Sequence, residues 1–166
     1  DRPRDINPFE DDVTLATFGL MGPGKGLESA LDALAKVKPN HPNIKYRIIG
    51  ATHPVLLAKE GEAYRDGLKR QIQRLGLEEN VEWVDRFLDI DDLLAELDRC
   101  QIYLTPYTNL QQSTSGTLSY AVALGKAVVS TPYVHARELL AEDCGRLFPV
   151  GDADALASII QNLADH

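Results

Sequence analysis

Six times along this chain a short apolar run rich in β-formers gives way to a segment whose apolar residues recur at helical spacing. Val13–Gly19 leads to Leu27, Ala30, Leu31, Leu34 and Val37, and Lys45–Gly50 leads to Leu68, Ile72 and Leu75. Val81–Val84 leads to Ile90, Leu93, Leu94 and Leu97, and Ile102–Thr105 to Leu118, Ala121, Val122 and Leu124. Ala127–Thr131 precedes a short helix over Ala136–Ala141, and Arg146–Val150 precedes a final helix over Ala153–Ala164 with Leu156, Ile159, Ile160 and Leu163 inward. Strands that are apolar on both sides must be covered on both faces, and strands that each hand over to a helix pair in parallel. The alternation therefore predicts an α/β, Rossmann-like doubly wound parallel sheet of about six strands with helices on both faces. In such a sheet a ligand lies beyond the carboxyl ends of the strands, so the loops after the first four strands are the ones to read.

The boundaries carry their own signals. Gly76 and Gly125 follow the last periodic positions of two helices, and Asp89, Asp91 and Asp92 give a third an acidic first turn. Residues 1–12 are rich in proline and charge and have no apolar period, which reads as a linker or tail ahead of one domain over 13–166. With 44% hydrophobic content, that domain can bury a core without disulfide or metal. Cys100 and Cys144 form no framework, and a reduced, cytoplasmic setting is expected. No apolar run is long enough to span a membrane. A net charge of −8 argues against a nucleic-acid partner, because duplex affinity comes from neutralising phosphates.

That acidity is uneven. From Arg99 to Arg137 there is no Asp or Glu, although the chain has 25 acidic residues in all. Within this stretch the loop after the fourth strand holds Ser113, Thr114, Ser115, Gly116 and Thr117 and runs into a helix. Hydroxyls and free amides at the positive end of a helix dipole suit a phosphate. A plain N-cap by Ser113 or Ser115 explains one of those hydroxyls but not the run of small polar positions.

The loop after the first strand adds Gly19, Gly22, Gly24 and Gly26 around Lys25, a point charge for a phosphate beside backbone that a ligand can approach. Its spacing fits neither the dinucleotide fingerprint nor the P-loop, and such turns also arise for steric reasons alone. After the second strand come Gly50 and His53; with no acidic partner identifiable, His53 reads as a surface residue rather than a base. After the third strand, Arg86 can pair with a diphosphate while Phe87 and Leu88 lie by a base; an exposed Arg beside a half-buried Phe is the plain alternative.

Taken together, Gly19 with Lys25-Gly26, Gly50, Leu75-Gly-Leu77 with Val81, Pro106, Ala121, Gly125-Lys-Ala-Val-Val-Ser130, Glu138, and Gly145 with Asp152 follow an order that resembles the C-terminal domain of family 4 retaining glycosyltransferases. These include glycogen synthases and bacterial mannosyltransferases, and have the two-domain GT-B architecture. The resemblance implies a nucleotide-sugar donor domain, with the N-terminal acceptor domain of the same enzyme as its missing partner and the isolated chain inactive in transfer. Lys25 matches the family's lysine on the donor diphosphate, Arg86 to Leu88 the nucleobase loop, and Gly116 and Thr117 the diphosphate amides.

Leu20 stands where the family usually has arginine, and Gln112 and Tyr120, eight positions apart, stand where it has paired glutamates. Gln112 still bonds a sugar but has no charge to stabilise an oxocarbenium-like centre, and Tyr120 has one hydroxyl for the ribose. The catalytic residues are thus left open. The resemblance implies no cofactor beyond the nucleotide diphosphate sugar as donor substrate, and no metal, since Lys25, the amides and Arg86 can neutralise the leaving group. A non-catalytic nucleotide-sugar module and a nucleotide-sugar epimerase of related fold are the alternatives.

Overall fold

The computed structural model describes residues 13–18, 25–50, 54–84, 89–106, 121, 127–131 and 145–165. Strands β1 (Thr14–Phe18), β2 (Lys45–Ile49), β3 (Val81–Val84), β4 (Ile102–Thr105), β5 (Ala127–Ser130) and β6 (Gly145–Leu147) form one sheet in the order β3-β2-β1-β4-β5-β6. Every neighbouring pair is parallel, as the alternation required. The described helices are α1 (Leu27–Val37), α2 (Pro54–Glu60), α3 (Ala63–Leu75), α4 (Ile90–Arg99) and α5 (Ala153–Asp165).

The period of two along each strand divides the interior into two cores. Leu15, Tyr46, Ile48, Ile102, Leu104 and Val129 meet Leu27, Leu31 and Leu34 of α1, Leu68 and Ile72 of α3, and Leu156 and Ile160 of α5. On the opposite face Ala16, Phe18, Ile49, Tyr103 and Val128 meet Leu97 of α4 and Ala121. Helix ends follow local chemistry. Asp89 caps α4 by accepting from the amide of Asp92 at 2.8 Å, and Asp152 caps α5 through Ala155 N–H at 2.9 Å. Gly76 closes α3 at φ +70°, so that Leu77 N–H reaches Ile72 C=O at 2.9 Å while the Leu77 side chain is fully buried. At the amino edge of the sheet, Asn80 Nδ2 donates to the carbonyls of Ile44 and Pro42, at 2.7 and 3.0 Å.

Four departures have local causes. The last strand covers Gly145–Leu147 and not Arg146–Val150: Pro149 has no N–H to give a ladder, and Asp152 N–H turns back to Pro149 C=O at 3.1 Å. The connection after β2 is two helices, α2 and α3, parted at Gly61 with φ +63°. On α4 only Leu97 is buried, Leu93 and Leu94 are half-buried, and Ile90 is 46% exposed, so that burial falls toward its first turn. Finally, the sheet is less apolar than its runs suggest. Arg47 of β2 is buried, paired with Glu82 of β3 and Glu96 of α4. The helix expected over Leu118–Leu124 is described only at Ala121, and that over Ala136–Ala141 lies outside the described residues.

Candidate functional site

β1 and β2 pair along their whole length, from Thr14 opposite Lys45 to Phe18 opposite Ile49. β1 and β4 pair only at Leu15 with Ile102 and Ala16 with Tyr103, so these two strands part toward their carboxyl ends. Here the strand order reverses, with β2 and β3 on one side and β5 and β6 on the other. A doubly wound sheet opens a crevice at that switch point.

Side chains close the base of the crevice. The hydroxyl of Thr17 donates to Leu104 C=O at 2.8 Å, standing in for the ladder bond that the diverging strands do not make. Its one proton is thereby used, so the 2.6 Å contact with the Tyr46 hydroxyl has Tyr46 as donor. Two buried hydroxyls and a strand carbonyl are satisfied together.

Above this base, Gly26 adopts φ +69° and ψ +25° as the residue before α1. A Cβ there would lie 1.8 Å from the carbonyl oxygen of Pro106. Only glycine lets the backbone after β1 lie on the backbone after β4. Lys25, next to this contact, is half-buried, and burial lowers its pKa from the ordinary lysine value. An anion brought beside it would favour the charged form again.

The β2 and β3 ends are likewise tied. Gly50, at φ +137°, donates its N–H to Val84 C=O at 2.9 Å. Its carbonyl faces an Nη of Arg65 at 3.4 Å, and the Arg65 guanidinium lies 4.9 Å from the centre of the Trp83 ring. The first turns of α1 and α3 meet where Tyr64 donates to Glu28 at 3.3 Å. Burial first, then the Glu28 charge, raise the Tyr64 pKa.

Of the residues singled out from sequence, Lys25 and Gly50 are described, Lys25 beside the Gly26 contact with Pro106 and Gly50 directly after β2. Gly22, Gly24, Arg86, Phe87, Leu88, Gln112, Ser113, Ser115, Gly116, Thr117 and Tyr120 lie outside the described residues, as does His53. Sequence reading missed Thr17, Tyr46, Arg65 and Trp83. Arg65 had a signal: it stands three residues before Leu68 and seven before Ile72, on the inward stripe of α3. Among the described residues no group of three or more His, Cys, Asp and Glu could hold a metal, and no helix is long and apolar enough to cross a membrane.

The family model of glycosyl transferases group 1 matches residues 12–166. The chain belongs to this family. Among solved structures, the C-terminal domain of a group 1 glycosyl transferase (LpcC) from Francisella tularensis is similar with a TM-score of 0.80 at 16% identity, over 95% of this chain and 77% of that one. HepE (Alr3699) from Anabaena, in complex with UDP, has a TM-score of 0.80 at 26% identity, over 93% of this chain and 40% of its own. A sucrose-phosphate synthase from Thermosynechococcus elongatus has a TM-score of 0.75 at 21% identity, over 97% of this chain and 38% of its own. No curated protein matches. This group 1 chain thus spans about two fifths of the length of these two longer chains.

Proposed function

We propose that this chain is the donor-binding domain of a retaining glycosyltransferase of GT-B architecture, moving a hexose from a nucleotide diphosphate sugar to an acceptor hydroxyl. The observation that carries the reading is the placement of Lys25: Gly26, seated on the Pro106 carbonyl, sets this half-buried lysine at the switch-point crevice. Membership of glycosyl transferases group 1 supports it, as does similarity to HepE with UDP and glucose, at 27% identity over 92% of this chain. In the transition state negative charge builds on the leaving diphosphate, and a fixed cation with preorganised amides stabilises charge that develops there.

In this reading Lys25 and the amides and hydroxyls of Ser113, Ser115, Gly116 and Thr117 hold the diphosphate. Gly22 and Gly24 admit the ligand to the backbone, and Arg86, Phe87 and Leu88 border the nucleobase. Gln112 bonds the sugar and Tyr120 the ribose. The acceptor comes from a second domain, as the greater length of HepE suggests.

The test is calorimetric titration of the chain with uridine, guanosine and adenosine diphosphate sugars. One of them is expected to bind, with Lys25→Ala weakening it about tenfold or more, the effect of losing roughly 1.4 kcal/mol. No heat with any of the three overturns the reading. Gln112 and Tyr120, neutral where the family has glutamates, favour a second reading: a module that binds the donor without turnover. Release of free sugar from bound donor, or its transfer by the chain joined to an acceptor domain, decides against that.

A further inference from the structure

Helix α3 turns a stripe inward that consists of Arg65, Leu68 and Ile72, with Leu75 packed at its end. A core needs only an apolar residue at the first of these positions, and a methionine or leucine would fill it without taking a guanidinium out of water. Arg65 is only 4% exposed. Two of its contacts lie at the carboxyl ends of β2 and β3, Gly50 C=O at 3.4 Å and the Trp83 ring at 4.9 Å, while Glu62, the residue before α3, sets Oε1 3.4 Å from its Nε. Gly50 in turn donates its N–H to Val84 at 2.9 Å, so the residue that follows β2 is held through its N–H by β3 and through its C=O by Arg65. Lys69, one turn further along α3, also lies over Trp83, its Nζ 5.7 Å from the ring centre. Two cations from one helix on one indole fix where β3 ends relative to α3.

We propose that Arg65 is a positioning residue: it sets the departure points of the loops after β2 and β3, and through them the subsite for the nucleoside part of the donor, leaving the diphosphate subsite between β1 and β4 unaffected. This rests on the donor-binding reading. The planar guanidinium suits the task, since it can stack on Trp83 with one nitrogen still directed at a carbonyl, which a lysine ammonium cannot do.

The experiment compares the wild-type chain with Arg65→Met and Arg65→Lys. It uses thermal unfolding, hydrogen exchange at the Gly50 amide, and calorimetry with sodium pyrophosphate and with the diphosphates of uridine, guanosine and adenosine. Arg65→Met is expected to unfold within a few degrees of wild type, to exchange the Gly50 amide at least tenfold faster, and to bind the preferred nucleoside diphosphate at least tenfold more weakly with pyrophosphate affinity unchanged. Arg65→Lys, for the case in which Arg65→Met does not fold, is expected to show the same selective loss at three- to tenfold. Equal losses for pyrophosphate and nucleotide overturn the proposal, as does wild-type nucleotide affinity in both variants. If the wild-type chain binds no nucleotide, the donor-binding reading fails by itself, and Gly50 exchange still decides whether Arg65 holds the strand ends: an unchanged rate shows that it does not.

Discussion

Gly26 and Gly76 share a left-handed backbone, at φ +69° and +70°, but differ in surroundings. A Cβ on Gly76 meets nothing within 4 Å, whereas on Gly26 it falls 1.8 Å from Pro106 O. Gly76→Ala should therefore cost only the conformational penalty, about 1–2 kcal/mol. Gly26→Ala adds displacement of the backbone after β4, for about 3 kcal/mol or more in all. Urea unfolding of both variants measures the difference, and equal losses would mean that the Pro106 contact gives way freely. Lys25 makes a prediction in pH. Burial holds its free-state pKa below the ordinary value, and a bound diphosphate raises it, so binding takes up a proton between the two pKa values. Affinity for a nucleoside diphosphate should fall as pH rises through that window, and Lys25→Met should flatten the slope. Calorimetry on the alkaline side of neutrality, up to the ordinary lysine value of 10.5, checks this. The Gly-Lys-Gly chemistry was readable in sequence. The Pro106 neighbour was not, because nothing local to Gly26 records a contact from β4.

Among the elements, β2, β3 and α4 share one buried cation. For Arg47, burial acts to lower the pKa, but the hydrogen bonds and charges of Glu96 and Glu82 outweigh it and raise the pKa overall. The two glutamates differ in exposure: the side chain of Glu96 on α4 is 12% exposed, that of Glu82 on the edge strand 62%. Solvent screens the second pair far more than the first. Glu96→Ala should cost about 3 kcal/mol by leaving Arg47 short of a buried partner, and Glu82→Ala under about 1 kcal/mol. Chemical denaturation ranks them, and a larger loss for Glu82 would show that the ladder neighbour and not the helix compensates Arg47. Element boundaries followed the chain closely where a stop signal stood beside the apolar run. β3 and β4 span Val81–Val84 and Ile102–Thr105, as read from sequence. The reading failed at β6 and at Ile90, where an apolar residue gains nothing unless another layer reaches it. Arg47 and Arg65 are the converse, charged residues that the run and the stripe draw inside because partners on other elements meet them there.

For the molecule as a whole, the decisive quantity is strand order. The order β3-β2-β1-β4-β5-β6 puts β1 beside β4 and opens the crevice between them, which brings Lys25 and Gly26 to Pro106. Another doubly wound order, with β1 beside β3 at the switch, has the same alternation of strands and helices and would assemble a different pair of loops. The proposed donor site at the crevice is thus a consequence of topology, and the proposed nucleoside subsite at the β2 and β3 ends follows from the same order. The amino-acid sequence by itself determined the class of fold, the number of strands, most helix ends, and the small, polar and acid-free character of the loop after β4, since period, caps and local charge are properties of neighbouring residues. Only the tertiary structure decided which loops meet, that Gly26 lies on Pro106, that Thr17 replaces a ladder bond to Leu104, and that Arg65 holds Gly50 and Trp83. Each is a contact between residues on different elements, and its geometry is set by how the sheet twists and parts and not by the sequence on either side.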